Sequence, residues 1–329
     1  MHFIITVDTE ADNQWARGQD LTLKNIPLLP RFQELCTKYG FPVTYLITHE
    51  VAADQSSVQV LKPYLDAGTA EIGSHLHSWS NPPYGTDIAW ERKHHPFPHE
   101  LSPEMLKAKL ETLTWTITEK FGIRPVSYRS GRWGFDGKVA AELIAQGYLV
   151  DCSVTPKISW KKTKGDPTKN GGSDFRRAFL YPYYIDTTDV TKKGVSKLIE
   201  VPLSVLYTGL ISSEKSALTR WFSLIPDSFI KKVFNKIFFR VKTLRIFHDT
   251  DHSDFVNMLR SAQKNDLPVL EFMIHSSELA PGCSPYNKTE EAVEHAYWLL
   301  EDMLSYFRDQ GLKGVTLREY ARIFESKQP

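Results

Sequence analysis

Cysteine is scarce in this sequence: Cys36, Cys152 and Cys283 are the only three, odd in number and far apart. They cannot supply a disulfide framework, and no paired C-x-x-C motif offers a thiolate metal site; a reducing compartment is expected. Charge of one sign is missing too, since 40 Lys and Arg face 39 Asp and Glu for a formal net charge of +1. A nucleic-acid-binding domain would carry a basic surplus for the phosphates, so nucleic acid is set aside as a main partner. No apolar run is long enough to span a bilayer. The N-terminus, His2-Phe3-Ile4-Ile5-Thr6-Val7, reaches an aspartate at once, without basic n-region, long h-region or cleavage site, and a cytoplasmic location is expected. Neither a G-x-S-x-G elbow nor a Walker loop is present, so serine-esterase and nucleotide chemistry have no support.

What is there is apolar mass, 41% hydrophobic and 12% aromatic over 329 residues, enough for a sizeable core. Strands and helices alternate. Phe3 to Val7, Val43 to Ile47, the residues before His75, Val126 to Tyr128, Tyr148 to Asp151, Leu198 to Pro202 and Val269 to Ile274 read as strands. Helices are expected over the runs ending at Gly40 and Gly68, over Pro103 to Phe121, Gly137 to Gln146, Phe255 to Ala262, Thr289 to Gln310 and Leu317 to Phe324. Such repeated units argue for α/β architecture with parallel strands and outer helices. One domain, 1–329, is expected, with a polar surface excursion around 153–197. From Trp221 to Val241, apolar residues interleave with Lys231, Lys232, Lys236 and Arg240 in a basic amphipathic helix. Packing on the sheet with a solvated basic face is the expected role; weak contact with an anionic membrane surface is the alternative.

The chemistry-bearing residues fall where strands end. E-I-G-S-H-L-H-S-W sets His75 and His77 two apart on a loop, and T-V-D-T-E sets Asp8 and Glu10 two apart. In extended chain, residues i and i+2 project to one side, so two carboxylates and two imidazoles can converge. That set suits Zn or a similar divalent ion, with one carboxylate left over as a base. The fourth strand ends in Y-R-S-G-R-W-G, where Arg129 can hold a carboxylate in a charge-assisted contact. Trp133 is either a sugar-stacking face or core packing. Asp151 ends the fifth strand and His275 the last. In parallel α/β architectures the C-terminal strand ends meet on one face, where active sites form.

Together these motifs resemble the polysaccharide deacetylases with the NodB homology domain, the fourth carbohydrate esterase family. The resemblance covers most of the chain and is similar to the subgroup with H-L-H-x-W followed by a proline pair, here His75 to Trp79, then Pro82 and Pro83. It implies a distorted (β/α)7-type barrel that hydrolyses the N-acetyl group of an amino sugar at a divalent metal. By the same resemblance Asp8 is the base, Glu10 and His75 are metal ligands, Arg129 holds the base, Asp151 matches the fourth motif's aspartate, and His275 is the general acid. The sequence departs from the family at Thr9, where a second aspartate is usual, and at Trp79, where the second metal histidine is usual. His77 takes that histidine's place on geometry, and Trp79 joins Trp133 as a substrate-facing aromatic.

The implied chemistry is metal-assisted amide hydrolysis, with Asp8 taking the proton of the attacking water and His275, paired with Asp151, protonating the departing amine. Two other readings stay open: a hydrolase of small or cyclic amides on the same fold, and a carbohydrate-binding relative whose turnover is weakened through Thr9 and Trp79.

Overall fold

The computed structural model describes residues 1–14, 16, 21–85, 87–225 and 228–327, with the side chains of positions 220, 224 and 230 outside the description. Among the described residues seven parallel strands form a curled wall. They are β1 (His2–Thr9), β2 (Val43–Ile47), β3 (Ala70–Leu76), β4 (Ser127–Ser130), β5 (Val150–Asp151), β6 (Ile199–Glu200) and β7 (Val269–His275), in the spatial order β7-β1-β2-β3-β4-β5-β6. Outer helices connect most of them, among them Leu29–Lys38, Gln55–Asp66, Pro103–Phe121, Gly137–Ala145 and Glu290–Asp309. Both faces of the wall are covered, so the strands read as near-continuous apolar runs. Phe3, Ile5 and Val7 point outward into the main core under the helices. Ile4, Leu46, Val150, Ile199 and Val269 fill the inside of the curl, floored by Leu317 and Tyr320 of the last helix.

The barrel is distorted because the wall stays open between β6 and β7. No ladder joins that pair among the described residues; instead Ser204 Oγ accepts the Glu271 N–H at 2.9 Å. Among the described residues no helix is long and apolar enough to cross a membrane.

The structure changes three sequence expectations. His75 lies on β3 itself rather than on a loop, and His77 is the first residue after the strand, whose final member is Leu76. The 153–197 stretch is more than a surface excursion. Its Tyr183–Asp186 and Asp189–Lys193 form a hairpin that pairs antiparallel with β6, and Phe175, Tyr183, Ile185 and Val190 are buried in the main core. The alternation of Tyr183, Ile185 and Val190 is what draws this polar stretch onto the sheet.

The 221–241 stretch is not one helix packed on the sheet. It divides into helices Ala217–Leu224 and Phe229–Phe234, a wide turn Asn235–Phe239 and a short strand Val241–Thr243. Positions 226–227 and the side chains of Leu224 and Ile230, which belonged to the expected helix, lie outside the described residues. Ser228 caps the second piece, its hydroxyl accepting the Lys231 N–H, as expected of a serine at a helix start.

Candidate metal centre and catalytic carboxylate

Side-chain parity on the parallel strands builds the site. With alternate residues facing the inside of the curl, β1 presents Ile4, Thr6 and Asp8, β3 presents Glu71, Gly73 and His75, β4 presents Arg129, and β7 presents Val269, Glu271 and His275. Register then sets neighbours: Asp8 lies beside His275, and His75 beside Arg129. Glu10 and His77 continue the same parity just past the ends of β1 and β3.

Glu10, His75 and His77 are buried and offer three ligand atoms all within 4.8 Å of one another. His77 Nε2 is 2.7 Å from Glu10 Oε2, and His75 Nε2 is 3.5 Å from the same oxygen. The backbone carbonyl of Arg129 lies 3.0 Å from His75 Nδ1; accepting that proton leaves the Nε2 lone pair for a metal ion. Burial pushes His77 down to about 4, outweighing the neighbouring Glu10, so this ring is neutral and able to ligate. Burial would raise Glu10, but its bonds to His75 and His77 win and hold it ionised. One carboxylate, one lone-pair imidazole and one neutral imidazole in a buried cluster make a donor set that fits a divalent cation.

Space for His77 depends on Gly131. A Cβ there would sit 2.4 Å from the Leu76 carbonyl oxygen and 2.5 Å from His77 Nδ1, so any side chain displaces strand backbone or ring. Gly131→Ala is therefore expected to weaken metal binding by about 10- to 100-fold, the range for disturbing a ligand's support. Competition with a chromophoric chelator measures it, and unchanged affinity would show that His77 is not held by this contact.

Asp8 is the second carboxylate. Its Oδ1 accepts Arg129 Nη1 at 2.6 Å, while Oδ2 faces His75 Nε2 and His275 Nε2, each at 3.9 Å. Burial would raise its pKa; Arg129, then His75 and His275, outweigh burial and lower it. Arg129 is itself fully buried and fully used. Its Nη2 bonds Thr6 Oγ1 at 2.9 Å and also Glu271, and its Nε donates to the Cys152 carbonyl at 3.1 Å. Burial pushes Glu271 up to about 7 against the pull of Arg129. Glu271 was not among the residues expected from sequence, although an acid inside the apolar run V-L-E-F-M-I was the signal.

His275 takes a different partner from the one expected. Its Nδ1 is 2.6 Å from Glu278 Oε1, and Arg245 Nη2 donates to that same oxygen at 2.6 Å. Arg245 also lies 3.2 Å from Nδ1; the shorter contact assigns the Nδ1 proton to Glu278, leaving Nε2 toward Asp8 and Glu10. Asp151 is engaged elsewhere, accepting the Ser153 N–H at 2.9 Å and hydroxyl at 2.7 Å. Parity explains the correction. Val150 and Cys152 face the inside of the curl, so Asp151 between them faces out, against Glu200, and burial raises the carboxyls of both.

The two tryptophans form wall rather than open platform. Trp79 is buried, stacks on His95 at 4.0 Å between ring centroids and donates Nε1–H to Gln14. Trp133 is buried and runs parallel to Trp160 at 6.2 Å. Both line a cavity of about 310 Å³ that also takes in Asp8, Glu10, His75, His77 and His275. Trp160, Arg132, Arg245 and Tyr286 are also among its lining residues. Asp8, Glu10, His75, His77, Arg129 and His275 thus converge; Asp151 does not join them.

No family model and no curated protein sequence matches this chain. Solved structures do. A Mycobacterium smegmatis protein assigned as a polysaccharide deacetylase aligns over 98% of this chain and 91% of its own, at 12% identity and a TM-score of 0.50. The PuuE allantoinase aligns over 100% and 90%, at 14% identity and 0.53. A branching enzyme from Thermococcus kodakaraensis aligns over 100% and 71%, at 10% identity and 0.54. At such identities the likeness shows the fold, the NodB-type distorted barrel of the polysaccharide deacetylases. Since the same barrel carries an allantoinase and a branching enzyme, the reaction has to be argued from the site.

Proposed function

We propose that this chain is a metal-dependent hydrolase that removes the N-acetyl group from an amino sugar. The observation that carries the proposal is the buried Glu10–His75–His77 donor set with Asp8, held by Arg129, directly beside it. Glu10, His75 and His77 would hold a divalent ion, zinc by the chemistry of the donors, which would supply Lewis acidity toward an acetamide oxygen.

The protein's own groups divide the remaining work. Asp8 Oδ2 receives the proton of the attacking water, and Arg129 keeps that carboxylate ionised and aimed. His275 presents Nε2 on the other side of Asp8, 3.9 Å from Asp8 Oδ2 and from Glu10 Oε1. His275 acts here in its doubly protonated form: Nε2 gives its proton to the amine as the C–N bond breaks, yielding acetate and a free amino sugar, and the proton held by Asp8 restores the ring. Glu278 accepts the Nδ1–H and so orients the ring. Trp133 and Trp160 line the pocket and so bound the space that a sugar ring would occupy.

The cavity volume also suits a single small ring, which favours hydrolysis of a small cyclic amide as the second reading. Turnover on N-acetylated amino-sugar oligomers and on small cyclic amides separates the two. Acetate release from the oligomers is expected; ring opening of the cyclic amides with no acetate from any oligomer would replace the first reading by the second.

A further inference from the structure

The segment around residues 210–241 takes no part in the pocket's chemistry, yet it carries much of the molecule's exposed apolar surface. Leu218 and Trp221 are each 54% exposed, Phe229 80% and Ile237 55%, with Leu210 nearby in sequence at 80%. Single exposed apolar side chains are ordinary, but a cluster on one segment marks an interaction surface. Phe229, Val233 and Ile237 recur every four residues, which places them along one stripe. The opposite side is already satisfied: Phe222 stacks on Phe239 at 3.9 Å, and Tyr207 completes a small separate core. The exposed stripe is therefore not the side that holds the segment on the body.

Cations accompany this stripe. Behind it lies a cavity of about 330 Å³ lined by Lys157, Lys162, Arg176, Lys231 and Lys232 together with Tyr207 and Phe222. Among the described residues Glu214 pairs with Lys157 at 3.0 Å and Asp174 with Arg176 at 2.7 Å. Lys232 and Lys236 are exposed on the same segment, while Arg240 pairs with Asp254 at 3.3 Å.

We propose that this segment docks on an anionic membrane leaflet, with Trp221, Phe229 and Ile237 entering the boundary between head groups and acyl chains and the exposed Lys232 and Lys236 meeting lipid phosphates. A leaflet of this kind meets both chemistries at once. A second copy of the chain across a two-fold axis would bring like charges together.

The test is sedimentation of the whole protein with vesicles of phosphatidylcholine alone or with added phosphatidylglycerol, at low and at high salt. Binding is expected only with the anionic lipid, weakening as salt screens the charges. Lys232→Gln/Lys236→Gln should lower the partition coefficient about 25-fold, from roughly fivefold per cation near the surface. Trp221→Ala and Phe229→Ala should each lower it on the order of tenfold, the range for losing one large apolar contact. Near-ultraviolet circular dichroism checks that each variant keeps its fold, and a tryptophan fluorescence shift on vesicle binding that is lost in Trp221→Ala follows insertion. No binding to anionic vesicles at low salt overturns the proposal. So does binding of inorganic phosphate by calorimetry without vesicle binding, or vesicle binding that both apolar variants leave unchanged. A concentration-dependent dimer abolished by Phe229→Ala, again without vesicle binding, would assign the surface to a second copy instead.

Discussion

Asp8→Asn is expected to lower kcat for acetate release by about a hundred- to ten-thousandfold, the usual worth of a general base, while leaving bound metal unchanged. The substitution keeps the shape and an oxygen for Arg129 Nη1, which lies 2.6 Å from Asp8 Oδ1. Arg129 also keeps Glu271, Thr6 and the Cys152 carbonyl, so no buried charge is stranded and the fold should persist. The loss belongs in kcat rather than in substrate binding, because the carboxylate acts where a proton moves. The pH profile gives a second readout. Arg129, with His75 and His275, more than offsets burial and lowers the Asp8 pKa, so its ionised form persists to lower pH than an ordinary carboxylate. Loss of activity through Asp8 protonation is accordingly expected only below the usual carboxylate range of about 4. Near wild-type turnover in metal-loaded Asp8→Asn would remove Asp8 from the role of base and leave Glu10 as the leading candidate.

The second large effect concerns the ligands. His75→Ala and His77→Ala should each reduce metal affinity by more than the about 10- to 100-fold that outer-sphere changes cost, because each removes a donor from a three-residue set. Their folds should survive, since the apolar core under the helices is built from other residues. A ligand that binds only the folded state raises its stability. Added zinc should therefore raise Tm in the wild type and fail to do so in both variants. Equal metal content in wild type and His77→Ala would exclude His77 as a ligand and direct attention to Asp8.

Much of this site was legible because the two-residue period of extended chain is rigid. Asp8 with Glu10, and His75 with His77, had to project to one side whatever the sheet did, and the polar ends of apolar runs marked the face on which parallel strands converge. The phase of a short strand was not legible. Only Val150–Asp151 is laddered in β5, and nothing in Y-L-V-D-C says that Val150 and Cys152, not Asp151, look inward. Glu278 stood in plain view in I-H-S-S-E-L, three residues after His275, but only the tight turn Ser276–Leu279 brings it back onto the ring. Glu271 was hidden by expectation, since an apolar strand was read as uniformly core.

Longer-range features escaped for a different reason. The Tyr183–Lys193 hairpin is held by pairing with β6 and by burial of a few side chains, contacts that composition cannot reveal in a polar stretch. In the 221–241 run the apolar period suggested one helix, yet Pro226 lies within it and disfavours helix for the residue before it. Leu224 is the last residue of the first helical piece.

The account rests on a metal ion held beside Asp8, and one measurement addresses it directly: acetate released from N-acetylated amino-sugar oligomers by protein stripped with chelator, then titrated with zinc while bound metal is counted. Activity should be absent in the stripped protein and rise in proportion to metal until one ion per chain is bound. Full acetate release by protein shown to be free of metal would contradict the account.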